Sequence, residues 1–137
     1  MIFYYYSPEK IIEALGTKEA LRLTDNGDGQ LDIERIKEAE KFAETIIDSY
    51  LTGRYSLHFD FDNIPPLIEL IAKDLTIIHL YEAAYTKMSV PNAIVLKKID
   101  TYKLLKQLQN GEIQLNWREY QPPFILVRKN QSLINEL

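Results

Sequence analysis

The sequence has no cysteine, which excludes disulfides, thiolate metal ligands and cysteine nucleophiles. It also lacks an apolar run of the ~18 residues that a membrane span requires. The N-terminus has no basic segment before its apolar residues, as a secretory signal peptide would have. Only two histidines are present, and there is neither a glycine-rich phosphate loop nor a nucleophile spaced from a base. These absences predict a protein that is not an enzyme and holds no metal and no cofactor.

Basic residues are also in slight deficit. Sixteen Lys and Arg side chains face twenty Asp and Glu side chains, for a formal net charge of −4. Nucleic-acid binders and anionic-membrane binders gain much of their affinity from Lys and Arg. The balance therefore argues against a general nucleic-acid binder and against an anionic-membrane binder. At 137 residues and 46% hydrophobic content, the chain is long enough to bury the core of one domain.

The chain is organised around the stretch 32–55. Its apolar residues recur at steps of three and one, which predicts one stripe along an α-helix of about six turns. They are Ile33, Ile36, Ala39, Phe42, Ala43, Ile46, Ile47, Tyr50 and Leu51. The charged residues are predicted to form the solvated face of the helix: Glu34, Arg35, Lys37, Glu38, Glu40, Lys41, Glu44 and Asp48. Asp32 is predicted to cap the helix N-terminus through its carboxylate, and Gly53 to end the helix in the left-handed conformation.

Three further segments predict helices. Ser7-Pro8-Glu9 is a helix start with a capping hydroxyl, and Gly16 separates this short helix from a second one at 18–23. Pro65 and Pro66 open an almost wholly apolar helix to residue 85, which should be the most buried one.

The last predicted helix, 91–110, carries its apolar stripe on Ile94, Val95, Ile99, Tyr102, Leu105 and Leu108. The fold class is therefore mainly α: a small bundle with helices 32–51 and 65–85 packed antiparallel and 91–110 against them. Within the 65–85 helix, a buried Asp74 requires a partner, for which Arg54 is the candidate.

Short extended or β segments are predicted at 1–6, around 56–62 and in the tail. We expect residues 1–116 to form the helical domain and 117–137 an extension, either a β hairpin or an assembly tail. Aromatic and apolar side chains in the first and last segments could pack on their own domain or on a neighbour. The candidate interaction residues are Phe3, Tyr4, Tyr5, Tyr6, Trp117, Tyr120, Phe124 and Ile125.

The loop 24–32 is similar to half of a calcium loop. Asn26, Asp28, Gly29 and Asp32 fall at its third, fifth, sixth and ninth places. However, the twelfth place, which needs a bidentate Glu, is Arg35. Two readings stay open: a tight turn that caps the next helix, or a weak cation site completed by solvent. The prediction is the turn, with weak calcium binding or none.

Several motifs follow one another in a recognisable order. They are Leu23-Thr24-Asp25, Gly27-Asp28-Gly29, Ile47-Asp48-Ser49-Tyr50-Leu51-Thr52-Gly53-Arg54-Tyr55, Ile64-Pro65-Pro66-Leu67, and Asp74 to Leu80-Tyr81. Over residues 1 to about 116, this set resembles a family of Mu-type phage and prophage proteins encoded among the capsid and neck genes. The long helix ending in Tyr-x-x-Gly-Arg is also similar to the head–tail connector, or adaptor, proteins of long-tailed phages. The motif residues expected to have structural roles are Asp48, Tyr50, Gly53, Arg54, Tyr55, Pro65, Pro66 and Asp74.

The resemblance implies a structural virion protein that assembles as a homo-oligomeric ring under the portal. Its partners would be the portal, neighbouring subunits and tail or neck proteins. It would reside in the host cytoplasm during assembly and in the virion neck afterwards. The alternative is a helical protein-binding module with a regulatory role and no catalytic activity.

Overall fold

The computed structural model describes residues 7–55 and 64–115, and these residues form a mainly helical bundle, as predicted. The helices are α1 (Pro8–Leu15), α2 (Thr17–Thr24), α3 (Ile33–Leu51), α4 (Pro66–Ala84) and α5 (Asn92–Gln109). The predicted extended segments at 1–6, at 56–62 and in the tail lie outside the described residues, so those predictions remain open.

The first two helices begin and end where the sequence indicates, but one capping detail differs. Pro8 occupies the first turn of α1, and the backbone carbonyl of Ser7 accepts from the N–H groups of Lys10 and Ile11. The Ser7 side chain makes no capping hydrogen bond, so the predicted hydroxyl cap is wrong. Gly16 joins α1 to α2 with a φ of 89°, a value that glycine adopts without a Cβ clash.

Helix α3 confirms one predicted end and corrects the other. The Asp32 carboxylate accepts the N–H of Arg35 at 3.2 Å, which is the expected cap. Gly53 does not take the left-handed conformation: the described glycines with a positive φ are Gly16, Gly27, Gly29 and Gly111. The chain instead stays right-handed at Thr52, and the N–H groups of Arg54 and Tyr55 both donate to the carbonyl of Leu51.

Helices α3 and α4 form the central pair and run antiparallel. Ile47 and Leu51, near the end of α3, pack in one cluster with Ile68 and Ile71, near the start of α4. At the opposite end, Ile36 and Ala39 share a second cluster with Leu80 of α4. Helix α4 is the most buried element, as its all-round apolar sequence predicts. Its buried residues are Ile68, Ile71, Ala72, Leu75, Thr76, Ile77, Ile78 and Leu80.

Helix α5 packs against the central pair through a different face from the predicted one. Leu105 and Leu108 join the cluster at the start of α4, and Ile94 packs on Ile77 and Ile78 near its end. The line that faces the core is Ile94, Lys97, Thr101, Leu105 and Leu108, at steps of three and four. Two of these residues, Lys97 and Thr101, are polar. Val95 and Ile99, which the predicted stripe placed in the core, lie on another face of the helix and are exposed.

Candidate interaction surfaces

The predicted interaction residues all fall outside the described part of the chain. They are Phe3, Tyr4, Tyr5, Tyr6, Trp117, Tyr120, Phe124 and Ile125. The division into a domain at 1–116 and an extension at 117–137 likewise remains a prediction. The described residues show what these segments are attached to, and which surfaces the bundle leaves uncovered.

The Gly-Arg-Tyr motif after α3 anchors the segment that follows α5. Tyr55 is buried, and its hydroxyl oxygen accepts the N–H of Leu115 at 3.1 Å. The Arg54 guanidinium lies directly on Gly111, where an added Cβ would come within 2.7 Å of the Arg54 Nη2 atom. Gly111 also has a φ of 79°, so both space and backbone conformation favour glycine there. The motif therefore fixes the path of the chain at residues 111–115, immediately before the extension.

Asp74 has a different partner from the one predicted. Its Oδ1 atom lies 3.2 Å from the Nζ atom of Lys97 on α5. The prediction of an ion pair between Asp74 and Arg54 is wrong, because Asp74 faces the N-terminal half of α5 while Arg54 lies beside Gly111, beyond the C-terminal end of α5. The pair is partly buried and links α4 to α5 at the position where Lys97 interrupts the apolar line.

The other motif residues lie at helix ends or helix contacts. The ring of Tyr50 packs edge-on against Tyr102 of α5, with centroids 6.1 Å apart. The Asp48 carbonyl accepts from the Thr52 hydroxyl at the end of α3. Pro65 precedes α4 and its carbonyl accepts the first free N–H groups of that helix, and Pro66 occupies its first turn. The position of Pro66 in the first turn of α4 is the predicted one, and the structural roles assigned to the other residues stay predictions.

The acidic loop is closed by its own side chains. Asp25 Oδ1 accepts the N–H groups of Gly29 at 3.0 Å and Gly27 at 2.8 Å, and these bonds, that of Gly29 first, lower the pKa of Asp25. Asn26 donates its side-chain amide to Asp32 Oδ2 at 3.0 Å. These bonds confirm the predicted turn and cap. Across 7–55 and 64–115, no group of three or more His, Asp or Glu side chains is arranged to hold a metal ion.

Helix α2 is held on α4 by a polar network that the sequence did not reveal. Glu19 accepts from the Tyr81 hydroxyl at 2.5 Å and from Arg22 Nη2 at 2.6 Å. These bonds, that of Arg22 first, lower the pKa of Glu19 to about 2. The Arg22 guanidinium in turn lies over the ring of Tyr85, 5.6 Å from its centroid. The network fixes a small helix with little apolar surface of its own.

Two carboxyl groups on α3, one buried and one partly buried, were also missed. Glu40 is only 4% exposed, and neither of its oxygens has a hydrogen-bond partner in the described part of the chain. Burial, followed by the nearby charges of Glu9 and Glu44, raises the pKa of Glu40 to about 8. Burial also raises the pKa of Glu44 to about 7, and its Oε2 atom is buried without a partner among the same residues.

A signal for Glu40 was present in the sequence. Its position continues the line of Ile36, Ala43 and Ile47 at steps of four and three, so the helix places it on the core side. The sequence interpretation assigned it to the solvated face because of its charge alone.

The described bundle also leaves apolar side chains uncovered on α5. Val95, Leu96 and Ile99 are 40%, 61% and 58% exposed, and they lie on neighbouring positions of one helix face. We call these three residues the α5 patch. Lys103 and Lys106 continue the same exposed face toward the C-terminal end of the helix. An apolar cluster of this kind on a small domain indicates a contact surface.

The comparison with known families decides what kind of protein this is. The family model described as "Bacteriophage Mu, Gp36" matches residues 5–123. The chain belongs to this family. The Gp36 match confirms the Mu-type phage resemblance and covers the Gly-Arg-Tyr motif, the acidic loop and all five helices.

Membership in the Gp36 family indicates a structural or morphogenetic protein of a phage, with protein partners. The family match ends at residue 123, so the apolar run that begins at Phe124 lies beyond it. A comparison with curated proteins finds no match to the chain. In residues 7–55 and 64–115, none of the helices combines the length and the apolar character that crossing a membrane requires.

Proposed function

We propose that this Gp36-family protein is a head–tail connector subunit that assembles as a ring at the portal. The observation that carries the proposal is the end of α3, where Tyr50, Gly53 and Arg54 reproduce the Tyr-x-x-Gly-Arg pattern of connector proteins. In this chain the pattern has a definite task, since Arg54 and Tyr55 hold the segment that leads into the extension.

The proposed contacts lie in the two terminal segments. We propose that Phe3, Tyr4, Tyr5 and Tyr6 at one end meet the portal, neighbouring subunits and tail or neck proteins. At the other end, the proposed contact residues are Trp117, Tyr120, Phe124 and Ile125. Tyr and Trp bury a large area with little loss of side-chain entropy, which makes them frequent hot spots of binding. The role needs no catalysis, no cofactor, no membrane and no sequence-specific nucleic-acid contact.

The proposed place of action follows the same reasoning. Subunits would accumulate in the host cytoplasm and then become part of the virion neck. The free subunit can remain monomeric, because association costs translational and rotational freedom, which offsets part of the binding free energy until the portal supplies a template. Assembly on the portal is therefore the property to measure.

The test is deletion of residues 117–137, followed by mixing with the portal protein of the same phage. Electron microscopy and mass measurement would report ring formation, and calorimetry the melting temperature. We expect the melting temperature to change little while ring formation or portal binding is lost. A deleted protein that fails to fold would show that the tail belongs to the core, and an intact protein that never binds the portal would favour the regulatory binding module.

A further inference from the structure

The α5 patch is an apolar surface on the side of α5 that faces solvent. Val95, Leu96 and Ile99 lie at the N-terminal half of the exposed face, whereas its C-terminal half carries Lys103 and Lys106. Burial of apolar side chains stabilises by about 25 cal/mol per Å² removed from water. Three such side chains on adjacent turns form a site for a short apolar segment.

We propose that residues 124–127 of the same chain pack on the α5 patch in the free subunit. This run, Phe124-Ile125-Leu126-Val127, consists of four consecutive large apolar residues and is preceded by Pro122 and Pro123. As an extended strand it would turn alternate side chains to the helix. The inference concerns the subunit before assembly and goes beyond the proposed connector function, in which partners engage the tail.

The anchored chain end is within reach of the patch. Leu115 is held by Tyr55 and packs in one cluster with Leu105 and Leu108, so the tail leaves from the C-terminal end of α5. From the level of Leu108 to that of Leu96, the helix rises about 18 Å. The nine residues from Leu115 to Phe124 span up to about 30 Å when extended. The tail can therefore run back along α5 with several residues to spare.

The size of the segment favours its own subunit over a second copy. Bringing two molecules together costs translational and rotational freedom, which four apolar side chains on an open surface do not offset. A short tether raises the effective concentration of the segment at the patch to the millimolar range, roughly. A contact too weak to hold two subunits together can thus form within one.

Disulfide trapping tests the contact directly, because the natural chain has no cysteine. The full-length double variant Leu96→Cys with Ile125→Cys would be oxidised at high dilution, and internal disulfide formation followed by mass and by loss of free thiols. The matched control is Glu34→Cys with Ile125→Cys. Glu34 has an 80% exposed side chain in the first turn of α3, at the same end of the bundle as the patch.

We expect the Leu96–Ile125 pair to close about tenfold faster than the control pair, since docking raises the local concentration of the thiols. Adding Ile99→Lys to the first pair should remove most of this advantage. Equal rates for both pairs, or no effect of Ile99→Lys, would overturn the proposal. Covalent dimers in place of internal disulfides would show that a second copy occupies the patch and would overturn it as well. Portal binding by the unmodified protein is measured separately, so either proposal can fail without the other.

Discussion

Tyr55, just past the end of α3, and Glu40, in the middle of that helix, are both almost fully removed from solvent. The Tyr55 hydroxyl accepts the N–H of Leu115, so its polar atom is satisfied in the described structure. The Glu40 carboxyl has no such partner among the described residues, and its pKa is raised to about 8. The buried polar group at the end of α3 therefore stabilises the fold. The buried carboxyl in the middle of the helix destabilises it by an amount that depends on pH.

The largest change in stability should come from a substitution in the apolar cluster around Tyr55, at the end of α3. Ile71 is buried in the same cluster as Tyr55 and Leu115. We expect Ile71→Ala to lower the free energy of unfolding by about 2–5 kcal/mol, through lost burial and a residual cavity. Chemical denaturation would measure it, with Leu70→Ala on the exposed side of α4 as the control. Similar effects of both variants would contradict the described packing.

The destabilising effect of the ionised Glu40 carboxylate should appear in the pH dependence of the free energy of unfolding. The folded pKa of about 8 exceeds the ordinary value of 4.5, so the folded state holds the proton more tightly. Stability from this group is then full below pH 4.5 and is lost as the pH rises through 8. Between pH 5 and pH 9 we expect the wild type to lose about 2–4 kcal/mol relative to Glu40→Gln.

Denaturation of both proteins across this pH range measures the difference. Subtracting the variant from the wild type removes the contributions of carboxyls that do not interact with Glu40, such as Glu19, and leaves the Glu40 contribution together with its coupling to Glu44. The control is Glu34→Gln, which makes the same chemical change at a mostly exposed position. A parallel course for the wild type and Glu40→Gln would mean that Glu40 is ionised and solvated.

Removing the satisfied contact is the converse experiment. Tyr55→Phe takes away the acceptor for the Leu115 N–H and leaves that group unpaired in a buried place. We expect a loss of about 1–3 kcal/mol and faster hydrogen exchange at the Leu115 amide. Tyr50→Phe, which retains the ring contact with Tyr102, is the matched control. Unchanged exchange at Leu115 in Tyr55→Phe would exclude the proposed anchoring.

Two glycine substitutions test the same contact between the end of α3 and the segment that follows α5. Gly111→Ala forces a side chain into a positive φ and against the Arg54 guanidinium, and should cost about 1–2 kcal/mol. Gly53→Ala meets no atom within 4 Å and no positive φ, so it should be neutral or stabilising by up to about 1 kcal/mol. The melting temperatures of the two variants measure this difference. A larger loss of stability in Gly53→Ala would support the sequence-based prediction that Gly53 terminates α3.

The sequence predicted the positions of the helices better than the contacts between them. Periodic apolar residues located the three long helices, and the all-round apolar composition of 66–84 identified α4 as the central one. Helix ends came from Asp32 and Pro66, whose capping chemistry is local. These features depend on residues a few positions apart, which is why one sequence suffices to find them.

The errors at Asp74 and on α5 involve contacts between distant residues, whereas those at Ser7 and Gly53 concern local helix capping. Asp74 pairs with Lys97 rather than Arg54 because of the way α5 crosses α4, which no local pattern encodes. The buried face of α5 includes Lys97 and Thr101, so counting apolar residues selected the wrong line. Glu40 was placed outside by its charge, although its spacing from Ile36 and Ala43 put it inside.

The acidic loop before α3 should show the smallest effect, because its carboxylates are satisfied where that of Glu40 is not. Asp25 and Asp28 already accept backbone N–H groups, and Asn26 bonds to Asp32. A calcium ion would have to displace these bonds, and Arg35 stands where a bidentate carboxylate is needed. We therefore expect calorimetry to detect weak calcium binding or none. Arg35→Glu, which supplies the missing carboxylate, should bind more tightly than the wild type. Wild-type binding tighter than ~10 μM would place the loop in the range of calcium sensors and refute the prediction.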